Sequence, residues 1–356
     1  MSDKGTASPN LFLRLVRRQY FWGIVAIVAL LAVNVGKDPR YLAITYNANN
    51  GALVGNLIDI LRAAAPIMMI AVGMCLVIAT SGIDLSVGSV MVVAGAVSMQ
   101  FLSSAPNTAG SAFLALLLAL GVSILLGLFN GFMVSVVGLQ PFISTLVMMM
   151  AGRGIAKVIT GGKNTAATND SFRWIANGYV LGLPVVFLLA IVIVILIGLL
   201  VRRSALGLMI EAIGMDPMAA RLAGVNRRGL LFAVYAISGV MAGIAGIFAT
   251  ASVMTVDISR TGDQLEMDAI LAVVIGGTSL AGGKFNITGA TIGALLIATL
   301  DKTVVFLGVS SSATPAFKAI VIVVLCLLQS ERIRSAFKRR SAAPAVADQK
   351  KEEVAA

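Results

Sequence analysis

The chain has 356 residues and no histidine. That absence removes the commonest general base and metal ligand. Only two cysteines occur, Cys75 and Cys326, both inside apolar runs and without metal-ligand spacing. They read as small core hydrophobes and say nothing about redox compartment. Charged residues make up 12% of the chain, where a soluble domain averages roughly a quarter. The glycine-rich run Gly276-Gly-Thr-Ser-Leu-Ala-Gly-Gly-Lys-Phe285 is no nucleotide loop. It lacks the first glycine at the required offset and has Phe where Ser or Thr must hold magnesium. If ATP drives this protein, another chain hydrolyses it.

What is abundant is apolar sequence. Hydrophobic residues reach 58% and the mean hydropathy is +0.97, which defines an integral membrane protein. The length allows about ten spans of roughly 20 residues. The expectation is an all-α polytopic membrane helix bundle with a broken helix pair around Asp84. Ten apolar segments can be marked: 19–35, 63–80, 86–103, 111–137, 141–160, 180–200, 230–251, 267–279, 287–308 and 313–330. The third and eighth are the weakest, and the eighth is short, Gly-rich and either bent or partly re-entrant. Arg14, Arg17 and Arg18 precede the first run, but no small-residue cleavage site follows it, so that run reads as the first helix.

The net charge of +11 collects at the edges of these runs, which is an orientation signal rather than a nucleic-acid surface. Basic residues mark the tail 1–18, the segment 201–229 (Arg202, Arg203, Arg221, Arg227, Arg228) and the tail 331–356. The positive-inside rule makes all three cytoplasmic. Ten crossings give the same answer by parity, so both termini are expected inside. One permease domain, 19–330, lies between the tails. Segments 36–62, 161–179 and 252–266 then fall outside, and Asn56–Ala65 reads as a short interfacial or entering helix. The tail Ser341–Ala356, Ala-rich and charged without an apolar period, reads as disordered. Small-residue pairs Gly127/Gly131, Gly239/Gly243 and Gly289/Gly293 let helices approach closely. Bundle packing explains them more simply than a dimer interface.

One polar break interrupts the apolar sequence: Thr80-Ser-Gly-Ile-Asp-Leu-Ser-Val-Gly88. A carboxylate there is costly in hydrocarbon. Irregular backbone is tolerated at membrane depth only when buried in protein or lining a wet cavity. Asp84 either hydrogen-bonds a substrate hydroxyl or caps the following helix. Segment 201–229 carries the second signal. Asp216 can cap a helix with Pro217 at its first position, and Gly224 can end it. The resulting Pro217–Ala223 helix spaces Met218, Leu222 and Val225 for one apolar face. It either docks into the groove of a soluble partner or lies on its own protein or the bilayer.

Four motifs occur in order over residues 60–330: Ser81-Gly-Ile-Asp-Leu-Ser-Val-Gly-Ser89, Gln140-Pro-Phe-Ile-Ser-Thr145, Glu211-Ala-Ile-Gly with Ala219-Ala-Arg-Leu-Ala-Gly-Val225, and Asp268-Ala-Ile-Leu-Ala-Val-Val-Ile-Gly-Gly-Thr-Ser-Leu280. Together they resemble the ribose-type permeases of bacterial ATP-binding-cassette (ABC) sugar importers. Ile58–Pro66, Met150–Gly154 and Ala205–Gly214 resemble the galactofuranose importer's permease. The resemblance implies a transmembrane subunit that moves a monosaccharide by alternating access in the bacterial inner membrane. It implies as partners an ABC ATPase that binds ATP and Mg, a second permease (same or different chain) and a periplasmic or lipid-anchored sugar-binding protein. Neither cofactor nor metal is expected on this chain, and no enzymatic activity of its own. By the same resemblance, Glu211, Ala212, Gly214, Asp216, Ala219, Ala220, Arg221, Leu222 and Gly224 form the element that couples to the ATPase.

For the translocation path the candidates are Ser81, Asp84, Ser86, Asn130, Gln140, Phe142, Ser144, Arg153 and Asp301. Aromatics total 6%, with Trp22 and Trp174 the only tryptophans. Weak lumen contacts suffice where a binding protein supplies recognition. Arg153 and Lys157 either face a polar lumen or snorkel. Glu266 and Asp268 either pair with those cations or cap a helix. Asp301 and Lys302 point about 100° apart on one helix, so each needs a partner elsewhere. The competing class is an ion-coupled secondary transporter, for which Asp84 or Asp301 would carry the ion.

Overall fold

Every one of the ten apolar segments is helical over most of its length in the computed structural model, which describes residues 19–48, 51–310 and 312–329. The tails 1–18 and 331–356 lie outside the described residues. The helices are α1 (Gln19–Lys37), α2 (Asn56–Ala79), α3 (Val87–Ser104), α4 (Ala109–Phe132), α5 (Pro141–Thr160), α6 (Asp170–Asn177), α7 (Val185–Arg203), α8 (Ala205–Met215), α9 (Pro217–Leu222), α10 (Arg227–Val253), α11 (Leu265–Ile275), α12 (Ile287–Leu307) and α13 (Thr314–Gln329). Among the described residues, seven helices are long and apolar enough to cross a membrane: α2, α3, α4 with its π-helical extension to Val137, α5, α7, α10 and α12. The protein is therefore a polytopic membrane helix bundle.

Several boundaries differ from expectation. Asn56–Ala65 is not a separate helix: α2 runs 24 residues straight through Pro66. The segment expected at 180–200 starts at Val185, because Tyr179–Pro184 forms the hairpin β4 (Tyr179–Val180) and β5 (Leu183–Pro184). The segment at 267–279 is the 11-residue α11, stopped at Gly276 and Gly277. Gly276 packs so closely on Gly289 of α12 that a Cβ would overlap its backbone. Eleven residues rise only about 16 Å, half the hydrocarbon thickness. Residues 254–264, which precede it, are non-helical and run beside α3, with Val256 near Gly95 and Gly262 touching Gly88. The eighth segment is thus short and its helix ends at its glycines.

The core is built on α10, which packs against α2, α3 and α4. The small-residue pairs make these approaches within the chain. A Cβ at Gly127 would lie 2.5 Å from the Tyr235 carbonyl oxygen, and one at Gly239 2.5 Å from that of Ser123. Gly293 faces Ala272 in the same way. Cys75 is fully buried and free, as a core hydrophobe should be.

The connections sort to two ends. At one, the 161–179 and 252–266 segments join through β3 (Thr165–Ala166) and β6 (Thr255–Val256), and Asn107 bonds Asp170 at 2.9 Å. The hairpin β1 (Thr45–Asn47)/β2 (Ala52–Val54) reaches the β4/β5 turn there through Leu53 N donating to Gly182 O. Tyr41, buried against Phe306, sits in the same cluster, and burial pushes its phenol above the ordinary value. At the other, basic end lie α8, α9 and the 277–286 turn.

Candidate functional site

The helix break is where the most elements meet. The chain leaves α2 at Thr80 and resumes helix at Val87. Asp84, 2% exposed, is fully used inside the protein. Its Oδ1 accepts from Ser86 N (3.0 Å) and Ser86 Oγ (2.6 Å), and its Oδ2 accepts from Ser238 Oγ of α10 (2.7 Å). Asn130 of α4 donates to Ser86 Oγ at 2.8 Å, and Thr145 of α5 donates to Ile83 O at 3.1 Å. Three donors compensate the buried carboxylate, which is the condition for tolerating it. The bond to Ser86 N turns the backbone into α3, so the turn-forming role belongs to Asp84.

Ser81, at the other end of the break, touches the basic end. It adopts φ 62°, a left-handed conformation that costs an L-residue about 1 kcal/mol. This closes the C-terminus of α2, with Ser81 N bonding Ile78 O and Gly82 N bonding Val77 O. Its Oγ lies 3.1 Å from Gly214 O of α8 and 3.0 Å from Ala281 O in the 277–286 turn. Gly283 N donates to Ala79 O at 2.9 Å. The three strands of chain are in van der Waals contact. A Cβ at Gly214 would overlap Ala79 O, and one at Gly282 would overlap Ser81 Oγ.

Beyond Gly214 the chain turns into α9. Asp216 caps it, its Oδ1 accepting from Met218 N (2.8 Å) and Ala219 N (3.0 Å). Pro217 occupies the first position, and Gly224 takes φ +83° after the last turn. Ala220 is buried against the bundle, whereas Arg221 is exposed and Met215, Met218 and Leu222 are 68%, 65% and 83% exposed. Glu211 and Ala212 are half-buried on α8. Asp216, Ala219 and Gly224 are exposed. Val225, expected on the same apolar face, turns inward and packs on the core.

The remaining path candidates lie elsewhere. Gln140 and Phe142 are exposed at the start of α5, while Ser144 is 5% exposed and its hydroxyl has no partner within the described residues. Arg153 clips the non-helical 257–263 stretch, donating to Ile258 O (3.4 Å) and Gly262 O (3.2 Å) and pairing with Asp263 (3.6 Å). Asp301 shares Lys318 of α13 with Asp268 of α11, at 2.6 and 3.0 Å. Lys302 reaches Asp59 at 3.9 Å. Asp301 and Lys302 therefore find separate partners on other helices, as their angular separation requires. A cleft of about 300 Å³ opens near Asp59, Arg62, Lys302 and Ser252, and none of the path candidates lines it.

Sequence reasoning did not pick Ser238, Thr145 or the Ala281–Gly283 turn. Ser238 and Thr145 sit among apolar residues like any helix serine or threonine. Only the pairing across 62 residues for Thr145 and 154 for Ser238 gives them meaning.

Buried irregular backbone between long apolar helices, with an exposed capped helix at the basic end, is the architecture of a polytopic membrane protein. Comparison with known proteins narrows this. The family model described as branched-chain amino acid transport system / permease component matches residues 56–328. The fructose import permease of Bifidobacterium longum is 51% identical over 340 residues, 94% of this chain and 94% of that protein. The galactofuranose transporter permease of Escherichia coli is 40% identical over 328 residues, 90% and 94%. The ribose import permease of Escherichia coli is 36% identical over 313 residues, 87% and 93%. No solved structure matches the chain. The chain belongs to this permease family, in its branch of ribose-type sugar permeases, and is a multi-pass protein of the bacterial inner membrane.

Proposed function

We propose that this chain is the transmembrane subunit of an ATP-driven importer that brings a monosaccharide into the cytoplasm. The observation that carries the reading is the full-length similarity to permeases named for fructose, galactofuranose and ribose. The exposed apolar face of α9 supports it from physics. Met218 and Leu222 stand out from a helix fixed at both ends by Asp216 and Gly224. A partner that docks on this face would desolvate it. That partner is an ABC ATPase, which binds ATP and Mg. A second permease, identical or not, completes the membrane unit, and an external sugar-binding protein delivers substrate.

In this reading the chain crosses about ten times, with both termini cytoplasmic. The gathering of 36–62, 161–179 and 252–266 at one end, opposite the basic 201–229 segment, supports that topology. The pair of helices broken at 80–86 is the element that rearranges during alternating access. The ion-coupled reading loses its carriers: Asp84 is saturated by hydroxyl and amide donors, and Asp301 is held by Lys318.

Affinity purification of the tagged chain from its native membrane, with copurifying chains identified by mass spectrometry, tests the proposal. A stoichiometric ATPase subunit is expected, and a different permease beside it identifies a heterodimer. Recovery of the chain alone, in a detergent that preserves other ABC importers, overturns the reading. Uptake of labelled fructose, galactose and ribose by cells with and without the gene then assigns the sugar.

A further inference from the structure

We propose that Ser81 is a positioning residue through which the 201–229 segment moves the helix break. The inference rests on the importer reading above, in which that segment receives the ATPase.

Ser81 is the one side chain of the break that reaches the basic end. Its hydroxyl carries a single proton and faces two carbonyl oxygens, Gly214 O at 3.1 Å and Ala281 O at 3.0 Å. One acceptor belongs to α8, directly before the Asp216 cap, and the other to the turn between α11 and α12. The hydroxyl therefore ties α2 to both elements and can serve one fully only by giving up the other.

The tie is stiff. Gly214, Gly282 and Gly283 bring the backbones so close that a Cβ at Gly214 would overlap Ala79 O. A displaced α8 must push the end of α2 rather than slip past it. The push reaches the membrane domain in three residues. Gly82 is wedged against the Tyr235 hydroxyl and Val77, Ile83 O lies 3.1 Å from the Thr145 hydroxyl of α5, which it shares with Pro141 O at 2.8 Å, and Asp84 is held by Ser238 of α10. Movement of Ser81 thus bears on α5 and α10 at once, and through Ser86 on Asn130 of α4.

The backbone supplies an independent sign. Left-handed φ at the C-terminus of a helix is ordinarily taken by glycine, and Gly82 stands one residue away. A serine held in that conformation keeps a hydroxyl where glycine would relieve the strain. An observed outlier of this kind points to a role.

The test uses the complete importer in proteoliposomes: this chain with its copurifying ATPase, permease and binding protein. ATP hydrolysis and uptake of labelled fructose, galactose and ribose are measured together. Ser81→Gly accepts the same backbone without a hydroxyl, so it folds even where Ser81→Ala fails. Ser81→Asn tolerates left-handed φ and restores a side-chain donor. The expected result is a fall of at least fivefold in sugar moved per ATP for Ser81→Gly, with at least half of the ratio recovered in Ser81→Asn. An unchanged ratio in Ser81→Gly overturns the inference, as does a proportional loss of hydrolysis and uptake, which would mark a merely structural residue. A wild-type assembly without ATP-dependent uptake overturns the importer reading itself and takes this inference with it.

Discussion

Replacing Lys318 with methionine isolates the strongest ionic fastening in the membrane domain. Lys318 lies 3.0 Å from Asp268 and 2.6 Å from Asp301, and its side chain is only 18% exposed. α13 makes few other contacts with the bundle, and Ile320, Val323 and Val324 face outward. Lys318→Met fits the same space but strands two carboxylates side by side in a low-dielectric setting. Removing one partner of a buried pair costs about 3–5 kcal/mol, and the 34% exposure of Asp301 places this site near 3. For a chain of this size about 2 °C per kcal/mol gives a fall of roughly 6 °C in apparent Tm. Fluorescence of Trp22 and Trp174 in detergent reads the transition. Two companions sharpen the test. The neutral triple variant with Asp268→Asn and Asp301→Asn should recover most of the loss, since exchanging a buried ion cluster for neutral groups is often close to neutral. Lys302→Met, whose Asp59 partner is 3.9 Å away and 52% exposed, should shift Tm by under about 2 °C. A Lys318→Met protein within about 1 °C of wild type would refute the fastening.

The remaining predictions concern the break, the docking face and the stretch before α11. Leu222→Asp alters a side chain that is 83% exposed, so the purified chain should keep its Tm within about 2 °C while copurification of the ATPase is lost. Asp84→Ala removes the acceptor for three bonds and strands Ser238 and Ser86. At about 1–3 kcal/mol per orphaned buried group, monodisperse yield on size-exclusion chromatography should fall severalfold, with Asp84→Asn intermediate. Equal yields for the two would show that the carboxylate does not hold the break. Arg153→Gln frees the 257–264 stretch by removing the contacts of Arg153 with Ile258 O, Gly262 O and Asp263. A cysteine placed at Ser259 should then label several times faster with an impermeant maleimide than in the Arg153 background, and equal labelling rates would count against the clip.

Much of this architecture was legible in the sequence, for identifiable reasons. Apolar length and basic edges report on the bilayer, which acts on every segment separately, so the helix-bundle class and the apolar helices follow without tertiary information. The α9 cap was legible because Asp216, Pro217 and Gly224 are local: each acts within four residues of itself. The Gly pairs announced close packing, although only the structure says that Gly127 meets Tyr235 and that Gly276 meets Gly289. The break was legible as a break, but its partners were not. Nothing local distinguishes Ser238 from Ser123, yet the first bonds Asp84 and the second bonds Ala119 one turn back. The partners of Ser81 were hidden for the same reason: its hydroxyl faces backbone carbonyls of the basic end more than a hundred residues away.

The kinds of contact are not evenly distributed along the membrane normal, and this bears on which half of the molecule is free to move. Toward the end that bears the hairpins, the helices and loops are held by charge: Arg153 with Asp263, Lys318 with Asp268 and Asp301, Lys302 with Asp59. Of these only the Lys318 cluster is substantially buried, so breaking it leaves a charge behind, which is expensive, whereas the pairs of Asp263 and Asp59 are half-exposed and weak. Toward the basic end the same task falls to single hydroxyls and to glycines in contact with carbonyls: Ser81 with Gly214 and Ala281, Gly283 with Ala79. A neutral hydrogen bond contributes only about 1 kcal/mol net, and an alternative carbonyl or a water can replace it. The hydroxyl bonds of Ser81 can be exchanged while the glycine–carbonyl contacts still transmit a displacement, whereas the Lys318 cluster cannot be broken without a large barrier. In the proposed importer this asymmetry puts exchangeable bonds where the ATPase would act and an ion cluster where α11, α12 and α13 must hold their places.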